Sequence, residues 1–247
     1  MHTSLKRSTD LVYFFYDSFF VLYNSFFASS LTALSLKDKL VQGSVGDYII
    51  TEQNRLCSLI RIHTLTETKL IIEEVSFPEA SLPKNTKEWL TSGAKGHTSW
   101  SLIEIDLTTT AVTSSFSFTK NAWLVWSADD SFLLKILDIP FSPILDQERR
   151  RIGPPIAEGP DTRKIWNPPL FFEGKKETLP QFSPFRLTYP KDGSLLSGKR
   201  IELFFNSGGG NFPFPYWGQI TDASDAALKF RVIDSGRNLS SPKKSPI

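Results

Sequence analysis

Residues 45–77 read VGDYIITEQNRLCSLIRIHTLTETKLIIEEVSF, and this stretch decides the fold. Three apolar runs rich in β-branched residues, Val45–Thr51, Leu56–Thr64 and Lys69–Phe77, are separated by EQNR and LTETK. Both connectors are short and polar, and the first holds Asn54. Strands joined by short polar turns pair antiparallel with their chain neighbours, as a β-meander. Side chains alternate along a strand. In the second run Leu56, Ser58, Ile60 and Ile62 therefore share one face, and Cys57, Leu59, Arg61 and His63 the other.

On the N-terminal side, Leu36 to Val41 has a helical pattern stopped by Gly43. On the C-terminal side, Pro78 to Pro83 breaks the sheet, and NTKEWLTSG follows as a brief helix. Asn85 caps it, Glu88 is placed to reach back to the capping amide, and Gly93 ends it. SWSLIEIDL alternates again. Ile103, Ile105 and Leu107 form the face expected to be buried, since Glu104 and Asp106 share the other with Trp100 and Leu102. AVTSSFSF sets Val112, Ser114, Phe116 and Phe118 on one side of a further strand. AWLVW and FLLKILDI extend the series, bounded by turn residues such as Asp129 and Asp130.

From Pro140 the character changes, with nine prolines between Pro140 and Pro184. No helix or central strand tolerates that density. The apolar side chains among them, such as Phe141, Trp166, Leu170 and Phe171, favour a strap clamped onto the body over a free linker. FRLTYPKDGSLLSGKRIELFF then reads as strand, turn and strand, and YWGQIT and LKFRVIDSG complete a second antiparallel set. The expected fold is mainly β: an antiparallel meander arranged as a sandwich or partly open barrel, with a Pro-rich strap and one or two short helices. Residues 36–138 form the first β domain, 139–183 the strap, 184–241 a small β unit packed on the first, and 242–247 a polar tail expected to fray.

The 247-residue chain is 40% hydrophobic and 22% charged, an ordinary globular composition. A net charge of +2 supplies no concentrated basic face, so nucleic acid is excluded as a partner. The single Cys57 rules out an internal disulfide and a multi-cysteine zinc site, and His2, His63 and His97 are too scattered for a metal site. No cofactor motif is present.

Residues 1–35 are a candidate signal or anchor segment. Lys6 and Arg7 precede an apolar, aromatic run from Leu11 to Phe27, and small residues follow at Ala28-Ser29-Ser30 and Ala33-Leu34-Ser35. A basic start, an apolar middle and a small-residue exit describe a secretory signal. Asp17 interrupts the run, and an aspartate deep in hydrocarbon costs roughly 2.5–3.5 kcal/mol. The expected location is exported, periplasmic or envelope-associated. The alternatives are a membrane anchor through residues 11–34, a buried first helix, or an over-extended start.

The stretches VGDYIITEQN, PKDGSLLSGKRIELFF, PFPYWGQITD and FRVIDSG together resemble a group of uncharacterised proteins from chlamydiae, over most of residues 36 to 241. The resemblance implies an intracellular bacterium with a double envelope. It implies no activity, cofactor or catalytic residue.

One candidate binding surface stands out, NSGGGNFPFPYWGQI at residues 206–220. Gly208, Gly209 and Gly210 permit positive φ or close approach, and Pro213 and Pro215 keep the stretch out of mid-sheet. Phe212, Phe214 and Tyr216 project one way and Trp217 the other. These four either plug the core beside a protected edge or form a platform for sugar rings, Pro-rich peptide or lipid headgroups. The core reading is favoured, with Trp217 inside and Phe212 and Phe214 at the margin.

Three weaker constellations remain. Arg149, Arg150 and Arg151 form a solvated loop neutralised by Asp146 and Glu148, or else an anion clamp. Asp47, Glu73, Glu74, Glu104 and Asp106 lie near or on strands, and paired carboxylates about 5–9 Å apart would suit a glycosidase. His63 and His97 have no recognisable nucleophile beside them, and Cys57 reads as a structural thiol. No residue is assigned as catalytic or metal-ligating. The favoured function is a non-enzymatic, envelope-associated binding or structural protein, with an envelope protein, a peptide, a glycan or a lipid as partner. The alternatives are a periplasmic carrier of lipid or another hydrophobe, and a carboxylate-dependent β-sheet hydrolase. A deep apolar cavity would favour the carrier, and paired carboxylates in a cleft the enzyme.

Overall fold

The structure, a computed structural model, describes residues 34–125, 132–208, 210–222 and 227–246. Residues 1–33 of the 1–35 signal or anchor segment, and the turn at Asp129 and Asp130, lie outside the described residues. The described residues belong to one compact unit.

The first meander runs through β1 (Tyr48–Gln53), β2 (Leu56–Leu65), β3 (Lys69–Pro78), β4 (Ser99–Asp106), β5 (Val112–Ser117) and β6 (Ala122–Trp123). The second contains β7 (Ser142–Pro143), β10 (Phe182–Thr188), β11 (Arg200–Asn206), β12 (Trp217–Thr221) and β13 (Ala227–Gly236). A separate hairpin joins β8 (Phe171–Phe172) to β9 (Lys175–Lys176). The two meanders are one sheet of order β6-β5-β4-β3-β2-β1-β13-β12-β11-β10-β7. The seam is the antiparallel pair of β1 and β13, in which Tyr48 faces Gly236 and Ile50 faces Asp234. The second β region thus joins the first edge to edge, in one continuous ladder. The fold is mostly antiparallel β with few short helices, and the sheet is not closed into a barrel: its end strands, β6 and β7, pair with β5 and β10 and not with each other.

Among the described residues three short helices accompany the sheet: α1 (Leu36–Leu40), α2 (Thr86–Thr91) and α3 (Phe132–Lys135). Ser35 caps α1 with a capping box, its hydroxyl accepting from the Asp38 amide at 3.2 Å. Asn85 caps α2 by accepting from the Glu88 amide at 3.2 Å, and Gly93 follows with φ 97°. FLLK is helical where the sequence suggests another extended run; such short apolar stretches are not separable by periodicity.

Both faces of the first meander are covered. One side chain set, Ile49, Ile60, Ile62, Ile72, Ile103 and Ile105, packs with Leu36 and Leu40 of α1 and with Ile136 and Leu137 beyond α3. The other, Tyr48, Ile50, Leu59, Val75, Phe77 and Trp100, packs with Leu90 of α2 and with Leu239. The expectation that Trp100 and Leu102 face water alongside the carboxylates is therefore corrected: they are 1% and 0% exposed. A second correction concerns β5. Val112 pairs with Ile105 and Phe116 with Leu102, and a register shift lies between Glu104 and Ile105. That irregularity sets Val112 and Phe116 on opposite faces, against the simple alternation.

The strap lies on the body. Trp166 packs edge-on against Phe204 and Trp217, with ring centroids 5.6 and 5.1 Å away, and Leu170 is buried. Ser235 at the end of β13 donates its hydroxyl to the Phe171 carbonyl at 2.6 Å, and the Gly174 amide donates to Asp234 at 2.9 Å. The chain leaving β13 stays against the sheet: Ser241 donates to Glu73 at 2.6 Å, and the ammonium of Lys243, in the tail, sits over the rings of Trp100 and Phe118.

Candidate functional site

The alternation of β3 turns two adjacent glutamates to opposite sides of the sheet. Glu73 goes to the α2 side, where it is fully buried and fully engaged. Arg61 donates to it at 2.8 Å, Trp100 Nε1 at 2.9 Å and Ser241 at 2.6 Å, and His63 Nδ1 lies 3.6 Å away. Arg61 also donates to the Leu239 carbonyl at 2.6 Å. Burial alone would push the Glu73 carboxyl up, but the nearby His63 ring, the hydrogen bond from Ser241, the Arg61 charge and the Trp100 bond outweigh it and hold it low. This network fastens the C-terminal segment to the sheet.

Glu74 goes to the other side, into a cavity of about 240 Å³. Its floor is the centre of the sheet: Ile49 of β1, Ile60 of β2, Ile72 of β3, and Ile103 and Ile105 of β4. Its roof is α3 with Leu137, and Phe214, Ile220 and Phe230 close one flank. The polar contributors are Thr51, Gln53, Ser58, Glu74 and Lys229. Lys229 is exposed. Burial raises the Glu74 carboxyl above the ordinary range, and a hydrogen bond from Ser58 partly offsets this. Such an arrangement, apolar walls with one ionisable group, is suited to holding a molecule by its apolar part.

The four aromatic residues proposed for a binding platform are all buried: Phe212 4%, Phe214 1%, Tyr216 1% and Trp217 8% exposed. Trp217 is inside as expected. Phe212 and Phe214 are inside too, which corrects their placement at the margin: their flanking prolines bar them from the ladder, but the loop folds back and presses them into the core. Phe214 lines the Glu74 cavity. Phe212 and Tyr216 instead reach a second cavity of about 450 Å³ with Leu170, Phe172, Gln181 and Asn206. The Tyr216 hydroxyl pairs with Ser235 at 3.1 Å, and burial pushes its pKa up to about 12. Gly210 takes the left-handed backbone at φ 75°, and Gly209 lies outside the described residues.

The remaining constellations are occupied by local partners. Arg149 reaches Asp146 and Asn167, Arg150 stacks over Trp166, and Arg151 donates to the Arg163 carbonyl and lies 3.5 Å from Asp161. The triplet thus fastens the strap to itself. Glu104 pairs with Lys69 at 2.9 Å, while Asp106 accepts from the amides of Thr108 and Thr109 in a turn. Asp47 is buried and accepts from the Ser44 amide, with Arg237 4.0 Å from its second oxygen. His97 Nδ1 lies 2.9 Å from the Ala94 carbonyl, and Cys57 is a buried free thiol. Among the described residues, no group of three or more His, Cys, Asp or Glu is placed to hold a metal, and no helix is long and apolar enough to cross a membrane.

Comparison with known proteins bears on the architecture. The family described as CT021 protein matches residues 58–178, from β2 to just beyond β9. A solved structure of the hypothetical protein CT021 from Chlamydia trachomatis aligns with a TM-score of 0.59 at 22% identity, covering 87% of this chain and 98% of that one. This chain resembles uncharacterised chlamydial proteins. At that identity the likeness to CT021 is one of fold. No curated protein matches the chain.

Sequence reasoning gave most weight to the aromatic loop at 206–220. It named Glu74 only among the strand carboxylates, although the alternation of KLIIEEVSF already sends Glu73 and Glu74 to opposite faces. Ile72 and Glu74 on one side, and Ile71, Glu73 and Val75 on the other, was the available signal.

Proposed function

We propose that the protein is a non-enzymatic binding protein that carries a small apolar molecule in the cavity between the centre of the sheet and α3. The observation behind this reading is the cavity itself, with isoleucines from four adjacent strands for a floor and Glu74 as its one acid. A volume of about 240 Å³ falls just below the roughly 300–1,000 Å³ of sites for drug-sized ligands. A single alkyl chain or a small ring system suits it, and a whole two-chain lipid does not. The hydrolase reading has less support, because Glu73, Glu104 and Asp106 each spend their oxygens on partners within the fold.

Titration with N-phenyl-1-naphthylamine, whose fluorescence rises in apolar surroundings, tests the reading. The expected result is saturable enhancement in the parent, lost in Leu133→Trp and Ile72→Phe, which fill the cavity from roof and floor. Absence of saturable binding by the folded parent would overturn the proposal. An envelope location belongs to the same reading and draws on Lys6, Arg7 and the apolar run after them. N-terminal sequencing of the protein recovered from cell fractions tests it: an intact Met1 on protein recovered from the cytoplasm would count against export.

A further inference from the structure

We infer that the occupant of the Glu74 cavity carries a protonated amine at one end, and that Glu74 is the group that reads it; this rests on the carrier reading above. The argument begins with the glutamates of the sheet. There are five on its strands, at positions 52, 73, 74, 104 and 202. Glu52 pairs with Arg231, Glu73 with Arg61, Glu104 with Lys69 and Glu202 with Arg186. Glu74 alone has no ion pair among the described residues; the Ser58 hydroxyl is its neighbour. It sits between Ile60 of β2 and Ser101 of β4 in the ladder and opens onto aliphatic walls.

Glu74 is half-buried, and a carboxylate partly stripped of water beside aliphatic walls gains when a cation reaches it. The charged residues on the enclosing elements do not fill that role. Lys229 is exposed where β13 borders the cavity, and Lys135 of α3 is not part of its lining. An alkylammonium supplies what the fold withholds: its chain covers Ile60, Ile72 and Ile103, and its head meets Glu74. An alkanoate would set two carboxyl groups against each other. An alcohol would gain a hydrogen bond but leave the charge unmatched.

Three probes of equal chain length distinguish these heads. Octylamine, octan-1-ol and octanoate are each used to displace N-phenyl-1-naphthylamine from the parent and from Glu74→Gln. Octylamine is expected to bind at least tenfold more tightly than octan-1-ol in the parent, with octanoate weakest. In Glu74→Gln the amine should lose that preference while octan-1-ol is unchanged. The amine preference should also grow with pH as Glu74 gives up its proton. If dye binds but the three heads compete equally, or if the preference survives in Glu74→Gln, the inference is overturned and the carrier reading stands. If the dye does not bind at all, the carrier reading falls first.

Discussion

Replacing Glu73 by alanine should be among the most damaging single changes on the sheet. The glutamate is 0% exposed, and its main partner Arg61 has a side chain only 6% exposed. Removal leaves a buried guanidinium with the Leu239 carbonyl and His63 as neighbours, and strips the acceptor from Trp100 Nε1 and from Ser241. Breaking one side of a buried pair costs about 3–5 kcal/mol. The double variant Arg61→Leu, Glu73→Leu removes both charges and should recover part of that. It keeps a residual loss of about 1–3 kcal/mol for the unpaired indole N–H. Urea unfolding followed by tryptophan fluorescence gives both numbers, and Trp100 is itself a reporter. The pair also makes a signed pH prediction. The folded carboxyl is held low, so its contribution is complete above the ordinary carboxylate range and is lost as pH falls through the lowered folded value. Glu73→Ala should therefore lie closest to the parent in acid. A cost below about 1 kcal/mol, or a double variant less stable than Glu73→Ala, would refute the account of Glu73 as anchor for Arg61.

Three further outcomes are expected. Phe214→Ala and Trp217→Ala should each cost about 3–5 kcal/mol by chemical denaturation, since both rings are buried; a large difference between them would mean that one site collapses around its cavity. Gly218→Ala places a methyl carbon in collision with the Phe230 ring, so the ring must swing; the cost should be about 1–3 kcal/mol, with weaker dye binding because Phe230 flanks the Glu74 cavity. Glu74→Gln should raise the melting temperature at neutral pH. The folded carboxyl of Glu74 is raised, so the parent loses stability as pH climbs through that value, and the gap between the two proteins should close in acid.

Much of the sheet was legible because β1 to β3 are apolar, β-branched runs joined by short polar turns, and each local cue agrees with the next. Legibility failed where the backbone leaves the simple period. The irregularity beside Thr113 separates Val112 from Phe116, and no residue type there announces it. The four residues FLLK fit a strand or a helical turn equally well. The seam between β1 and β13 joins distant parts of the chain, and neither strand carries a local mark of its partner. For the cavity, composition pointed to the aromatic loop, whereas the geometry points to one glutamate among isoleucines. A loop rich in proline cannot enter a ladder, but it can still be packed on one, and Phe212 and Phe214 are.

The seam has a consequence for biosynthesis. Strand β1 leaves the ribosome early, and β2 soon covers one of its two edges. The other edge stays bare while the strap and the rest of the second meander are made, because its partner is β13, made more than 170 residues later. A bare edge is a template for foreign strands. The nascent chain therefore carries an open seam at what becomes the middle of the finished sheet, and contacts of such long sequence separation form slowly. Synthesis of β13 is the step that lets it close: once β13 docks on Tyr48–Gln53, Leu239 and Ser241 follow within a few residues and latch onto Arg61 and Glu73. A chain truncated before residue 227 would lack both the zipper and the latch.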